Sequence, residues 1–231
     1  MKKLTLTFLI ILFALTSNVV WSADYNKGWE AFESGDYATA LREFKPLAEQ
    51  GNDYAQHNLG LMYRKGYGVP QDDKTAVKWY TLAAEQGNTF SQSNLGFAYH
   101  YGYGVPQDYK NAVKLYRLAA EKSHDIAQFN LGLMYDLGLG VPQDYKTAVK
   151  WYRLAAEQGH ADAQYNMSLS YYLGEGVIQD NVYAYMWANI FASNGNDPKA
   201  RDTIAKEMTS ADISLAQKLT RECVAKNYKG C

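Results

Sequence analysis

Two cysteines, four histidines and no long apolar run beyond the first twenty residues set the first limits on this chain of 231 residues. Zinc takes four tetrahedral ligands, and two cysteines with no histidine beside them do not fill that shell. The pair, Cys223 and Cys231, lies at the end of the chain. In an oxidising compartment such a pair reads as a disulfide closing a short loop, worth about 2–3 kcal/mol on the chain-entropy estimate. No GxSxG, HExxH, CxxC or phosphate-loop motif occurs. No catalytic residue, metal ligand or cofactor is therefore assigned, and the chain reads as a non-enzyme.

Charge is also lacking. Basic residues number 23 and acidic residues 24. Lys2 and Lys3 precede an apolar run, Leu4 to Leu15, which matches a signal-peptide core and is too short to span a bilayer. Val20 and Ser22 occupy the small-residue positions of a cleavage site. Cleavage after Ser22 is expected, making residues 1–22 a signal peptide and the product periplasmic or secreted. No cysteine follows the run to carry a lipid anchor. Removal of those residues takes two lysines and leaves a net charge of −3. That balance gives no reason to expect nucleic acid or stable membrane insertion.

What is present is repetition. Gly66 to Gly87 reads GYGVPQDDKTAVKWYTLAAEQG, and the segment returns twice at intervals of 36 residues, then more loosely from Gly174. A fixed period of this size marks a solenoid. Each unit parses into two helices. Ala55, Leu59, Met62 and Tyr63 form one apolar face of the first. GYGVP makes a tight connection, with Gly66 ending the helix and Pro70 keeping Val69 out of helix. Asp72, Asp108, Asp144 and Asp180 stand where N-caps belong. The second helix carries Ala76, Trp79 or Tyr80, Ala83 and Ala84 inward, and Gly87 closes it; Ser123 takes that place one unit later.

Gly60, Gly96 and Gly132 lie inside the first helices, at a cost of about 1 kcal/mol each relative to alanine. A close neighbouring helix explains them, with Ala83 and Ala84 as the facing surface and Tyr80 and Trp79 filling wider gaps. Ser168 replaces the glycine in the last copy, so looser packing is expected there. The recurring Asn58 reads as a buried amide bonded to backbone carbonyls. His124 and His160 share a place in the repeat, but stacked helices lie too far apart for both to reach one ion, and they read as polar turn residues.

AQHNLGLMYRKGYGVPQDDKTAVKWYTLAAEQG and its copies resemble the Sel-one-like repeat family, a variant of the tetratricopeptide solenoid. The resemblance implies an all-α, right-handed superhelix of stacked antiparallel helix pairs over residues 23–195, in units 23–51, 52–87, 88–123, 124–159 and 160–195. A helical cap would follow over 196–231. The first unit lacks GYGVP and reads as a plain tetratricopeptide unit, its second helix kinked at Pro46. The resemblance also implies binding of another protein or peptide. Some cysteine-rich relatives are described as penicillin-binding proteins or weak β-lactamases, but they carry a disulfide in every unit. Binding of peptidoglycan or another glycan on Tyr and Trp is a further alternative.

Comparison of the copies separates two kinds of position. Gln56, Asn58, Leu59 and Tyr63 barely change. Three sets vary: His57, Ser93, Phe129 and Tyr165; Leu61, Phe97, Leu133 and Leu169; Arg64, His100, Asp136 and Tyr172. They fall at i, i+4 and i+7 on the first helices and make one stripe. This stripe is the expected partner groove, with Tyr67 and Tyr103 in the loops as anchors.

Overall fold

The computed structural model describes residues 23–231; the expected signal peptide lies outside them. Among the described residues there are twelve helices and no strand. They are α1 (Tyr25–Glu33), α2 (Tyr37–Glu49), α3 (Asp53–Lys65), α4 (Asp73–Glu85), α5 (Thr89–Tyr101), α6 (Tyr109–Ala120), α7 (Asp125–Leu137), α8 (Tyr145–Ala156), α9 (Ala161–Leu173), α10 (Asn181–Ser193), α11 (Lys199–Ala205) and α12 (Ser210–Ala225). Helices pair in order, each packs on the next pair, and α11 and α12 close the array on α10. None is long and apolar enough to cross a membrane.

The caps explain where helices begin. Asp72, Asp108, Asp144 and Asp180 each accept a backbone N–H from the first turn that follows. The odd helices have caps that the repeat pattern did not single out. Asn52 and Asn88 cap α3 and α5, and His124 and His160 cap α7 and α9 through Nδ1. A ring nitrogen that accepts carries no proton, and burial lowers the His124 pKa in the direction this cap requires. Gly66 ends α3 in the left-handed conformation, at φ 72°. α2 runs on through Pro46, which has no N–H to offer the carbonyl of Arg42.

The helical glycines are explained by a different neighbour from the one the sequence suggested. A Cβ on Gly60 would lie 2.7 Å from the ring of Tyr80 and 3.2 Å from the carbonyl of Ala76. Tyr80, Tyr116 and Tyr152 bring ring carbons Cδ1 and Cε1 against Gly60, Gly96 and Gly132, and all three are buried. Gly28 stands in the same relation to Phe44 in the first pair. Ala83 and Ala84 are buried but are not the facing surface. Looser packing at the last copy does not follow either. Where Ser168 replaces glycine, Ala188 replaces the tyrosine. The Ser168 hydroxyl donates to the Ala184 carbonyl at 2.8 Å, and Ser168 is fully buried. Ala188 is itself 1% exposed and packs in one core cluster with Ala184, Tyr185, Ile204 and Ala216.

The polar ladder between repeats is built from glutamine. Gln56, Gln92, Gln128 and Gln164 each donate to the carbonyl of an alanine near the end of the preceding even helix. Gln56 and Gln128 also accept from Gln86 and Gln158, and Gln164 from Asn194. Asn58 instead donates to the hydroxyl of Tyr25, at 3.1 Å. Because Gln56 opens α3 while Ala48 ends α2 and Gln86 follows α4, these bonds also fix the helices as antiparallel.

The GYGVP loop docks as well as turns. A Cβ on Gly140 would meet the backbone of Tyr109 at 2.6 Å, and Gly104 and Gly176 press on Asp73 and Tyr145 in the same way. Each loop is thus seated on the first residue of the preceding even helix. At the far end Cys223 and Cys231 form a disulfide. The short loop it closes folds back: Gly230 N–H donates to Glu157, and Tyr228 Oη to Asn194.

Candidate protein-binding groove

The stripe lies on the odd helices, whose first-turn and middle residues reach from one pair to the next. In the first set, His57 Nδ1 lies 3.0 Å from Ser91 Oγ. Phe129 stacks on His160 at 4.7 Å, and Tyr165 tilts against Phe191 at 5.4 Å. Ser93 is only 4% exposed, so it offers little to a partner. The second set, Leu61, Phe97, Leu133 and Leu169, is half-buried along its length. Arg64 places its guanidinium 4.5 Å from the centre of the Phe97 ring.

The third set points at the buried tyrosines of the even helices. Asp136 accepts from Tyr152 Oη at 3.1 Å, and burial raises its pKa. His100 is buried and stacks on Tyr101 at 4.3 Å, with Tyr116 edge-on beyond it. Arg64 lies near Tyr80, where it opposes the upward pull of burial on the phenol. Where tyrosine becomes Ala188, the equivalent Tyr172 has no such partner and donates to Glu207, ahead of α12, at 2.8 Å. The variety in this set therefore has a structural component.

The loop tyrosines divide. Tyr67 is half-buried with its ring parallel to Tyr37 at 4.5 Å. Tyr103 is 45% exposed and joins Phe97 and Tyr101 in an aromatic group at mid-stripe. Two rows adjoining the stripe escaped the sequence reading. Tyr54, Phe90 and Ile126 lie one turn before it, and Tyr101, Leu137 and Leu173 one turn after. All six are about half exposed. Their signal was available: large apolar residues recur at places that the core periodicity does not use. Phe90 sits between His57 and His124, at 5.7 and 5.3 Å. At its C-terminal end the stripe opens into a cavity of about 580 Å³ bordered by Tyr165, Leu169, Tyr172 and Phe191.

His57 and Ser91 have the atoms of a nucleophile–base couple but not its placement. Ser91 is fully buried in the first turn of α5, and its own N–H is held by Asn88. Burial drives the His57 pKa down to about 4, helped by nearby His124. Its neutral ring bonds a hydroxyl that no substrate can approach. Among the described residues no three His, Cys, Asp or Glu side chains gather as a metal site.

The Sel1 repeat family model matches residues 53–88, 89–124, 125–160 and 161–196. Two solved structures share the architecture. One is a protective antigen of uropathogenic Escherichia coli with an SLR fold, at 34% identity and TM-score 0.81 over 88% of this chain and 46% of that one. The other is a Sel1 repeat protein from Oxalobacter formigenes, at 32% identity and TM-score 0.69 over 87% of this chain and 75% of that one. The present chain thus spans less than half of the E. coli antigen. No curated protein sequence matches it. Four matched repeats, the paired helices and these two likenesses together show that the chain belongs to the Sel1 repeat family.

Proposed function

We propose that this protein is an exported, non-enzymatic scaffold that holds another protein or a peptide along the stripe of its odd helices. Sel1-repeat solenoids are typically used for protein–protein interaction, and the family is generally non-enzymatic. The observation that carries the reading is continuity. Half-buried apolar residues follow one another from Leu61 to Leu169, flanked by two rows of half-exposed apolar side chains, and the path ends in an open cavity. An apolar centre with polar edges suits a protein partner. Trp187 is fully buried, Trp79 and Trp151 are half-buried, and Trp29, 40% exposed, lies on α1 outside the stripe, which favours a protein partner there over a glycan stacked on tryptophan. The apolar leader and the disulfide support export.

The test is a photo-crosslinking residue at position 97 in living cells, followed by mass spectrometry. One protein should be captured, and Leu133→Asp should abolish its capture while circular dichroism stays unchanged. Undiminished capture by the folded variant would remove the stripe from the binding site.

A further inference from the structure

The cavity at the end of the stripe is more specific than the stripe itself. Its walls are aromatic and apolar: Tyr165, Leu169 and Tyr172 from α9, Phe191 from α10 and Ile204 from α11. Its volume of about 580 Å³ is within the range that holds a ligand or a large side chain with its flanking backbone. Two carboxylates stand at its mouth. Asp162 is in the first turn of α9, and Asp197 lies just before α11; both are exposed. A third acidic group, Glu207, accepts the hydroxyl of Tyr172. A phenol that donates to a carboxylate gains electron density in its ring. Lys199 is the one cation in the lining.

Aromatic faces rimmed by carboxylates attract cations, because ring quadrupole and formal charge act in the same direction. The stripe already contains such a pairing, Arg64 on Phe97. We infer that the cavity receives a lysine or arginine side chain of the protein that occupies the stripe. This deepens the scaffold reading and rests on it. A neutral apolar side chain would use the walls but not the charges of Asp162 and of Asp197, whose carboxylate also accepts the Lys199 backbone N–H. An anionic one would face two carboxylates across one ammonium.

The experiment uses the full chain, isotopically labelled, titrated with acetyl-Ala-Arg-Ala-amide, its norleucine and glutamate counterparts, and tetramethylammonium. The arginine peptide should move amide signals of α9 and α11 and bind at least tenfold more tightly than the norleucine peptide. Asp162→Asn with Asp197→Asn should weaken it at least fivefold, and added salt should narrow the gap. Lys199→Met removes the resident competitor and should tighten it severalfold. Norleucine binding as well as arginine, tetramethylammonium binding more tightly than either, or Lys199→Met weakening the peptide would each overturn the inference. If the peptide moves only signals around Phe97 and Leu133, the cavity assignment falls and the groove stands. Failure of the crosslink at position 97 would sink the groove instead.

Discussion

The pairing of glycine with tyrosine can be tested by asking the second repeat to adopt the solution of the last. Consider Gly60→Ser, Tyr80→Ala and the double variant. Serine alone pushes its Cβ to 2.7 Å from ring carbons of a tyrosine that is 1% exposed and has nowhere to go. Overpacking of this kind costs about 1–3 kcal/mol, less about 0.5 recovered because serine is a better helix former than glycine. Alanine alone empties the volume of a buried aromatic ring and should cost about 3–5 kcal/mol. Independent effects would sum to about 3.5–7.5 kcal/mol. In the double variant the clash is gone. The new hydroxyl has the Ala76 carbonyl within reach, as Ser168 has that of Ala184. The double variant should therefore be no less stable than Tyr80→Ala alone, a coupling at least equal to the cost of Gly60→Ser, about 0.5–2.5 kcal/mol. Urea unfolding of the four proteins, followed by circular dichroism at constant m-value, measures it. Additivity within about 0.5 kcal/mol would refute the view that these two positions are filled as one.

Acid should weaken the fold through His57. Its folded pKa of about 4 lies below the ordinary 6.5, so the unfolded chain takes up the proton first. The stabilisation is complete above pH 6.5 and is lost as the pH falls towards 4, reaching about 3 kcal/mol; urea midpoints of the native chain and His57→Gln between pH 7.5 and 4.5 should diverge accordingly. Ser123 holds φ 63° where Gly87 and Gly159 stand in neighbouring repeats. Ser123→Gly should raise stability by about 1 kcal/mol in thermal unfolding, and no gain would mean the backbone there is unstrained. Gln128→Ala removes one bond from the Ala120 carbonyl, which keeps the Ser123 N–H, and one from the Gln158 amide, which keeps the Leu154 carbonyl, and should cost about 1–2 kcal/mol. Gln158→Ala leaves the Gln128 bond to Ala120 intact and should cost less than half as much by the same assay.

The period, the pairing of helices and the aspartate caps were legible because each follows from spacing or from a residue with one common local use. Gly60 announced a close approach but not its partner. Periodicity says which face of a helix is buried, not which side chain of the facing helix lies over a given residue. The same limit moved the ladder from Asn58 to Gln56. Both are polar and adjoin the core face, and only the position of the preceding helix end decides which amide meets a carbonyl. The caps on α7 and α9 were hidden because histidine is an unusual cap, and its Nδ1 shows that use only once the backbone turn is in place. The stripe was visible as variation among copies. Variation alone did not tell residues turned outward from residues such as Asp136 and His100, which answer the tyrosine behind them.

The seating of each GYGVP loop on the first residue of the even helix before it has a further implication. Every joint between middle repeats is the same joint, and both halves of it recur in every copy. Excising one full copy of 36 residues would bring together two surfaces that already know each other, with no new fit to be found. The number of middle repeats is then free to drift, shortening or lengthening the track offered to a partner in equal steps. The terminal pair with its cap and disulfide loop is not interchangeable in that way, and neither is the cavity built between them.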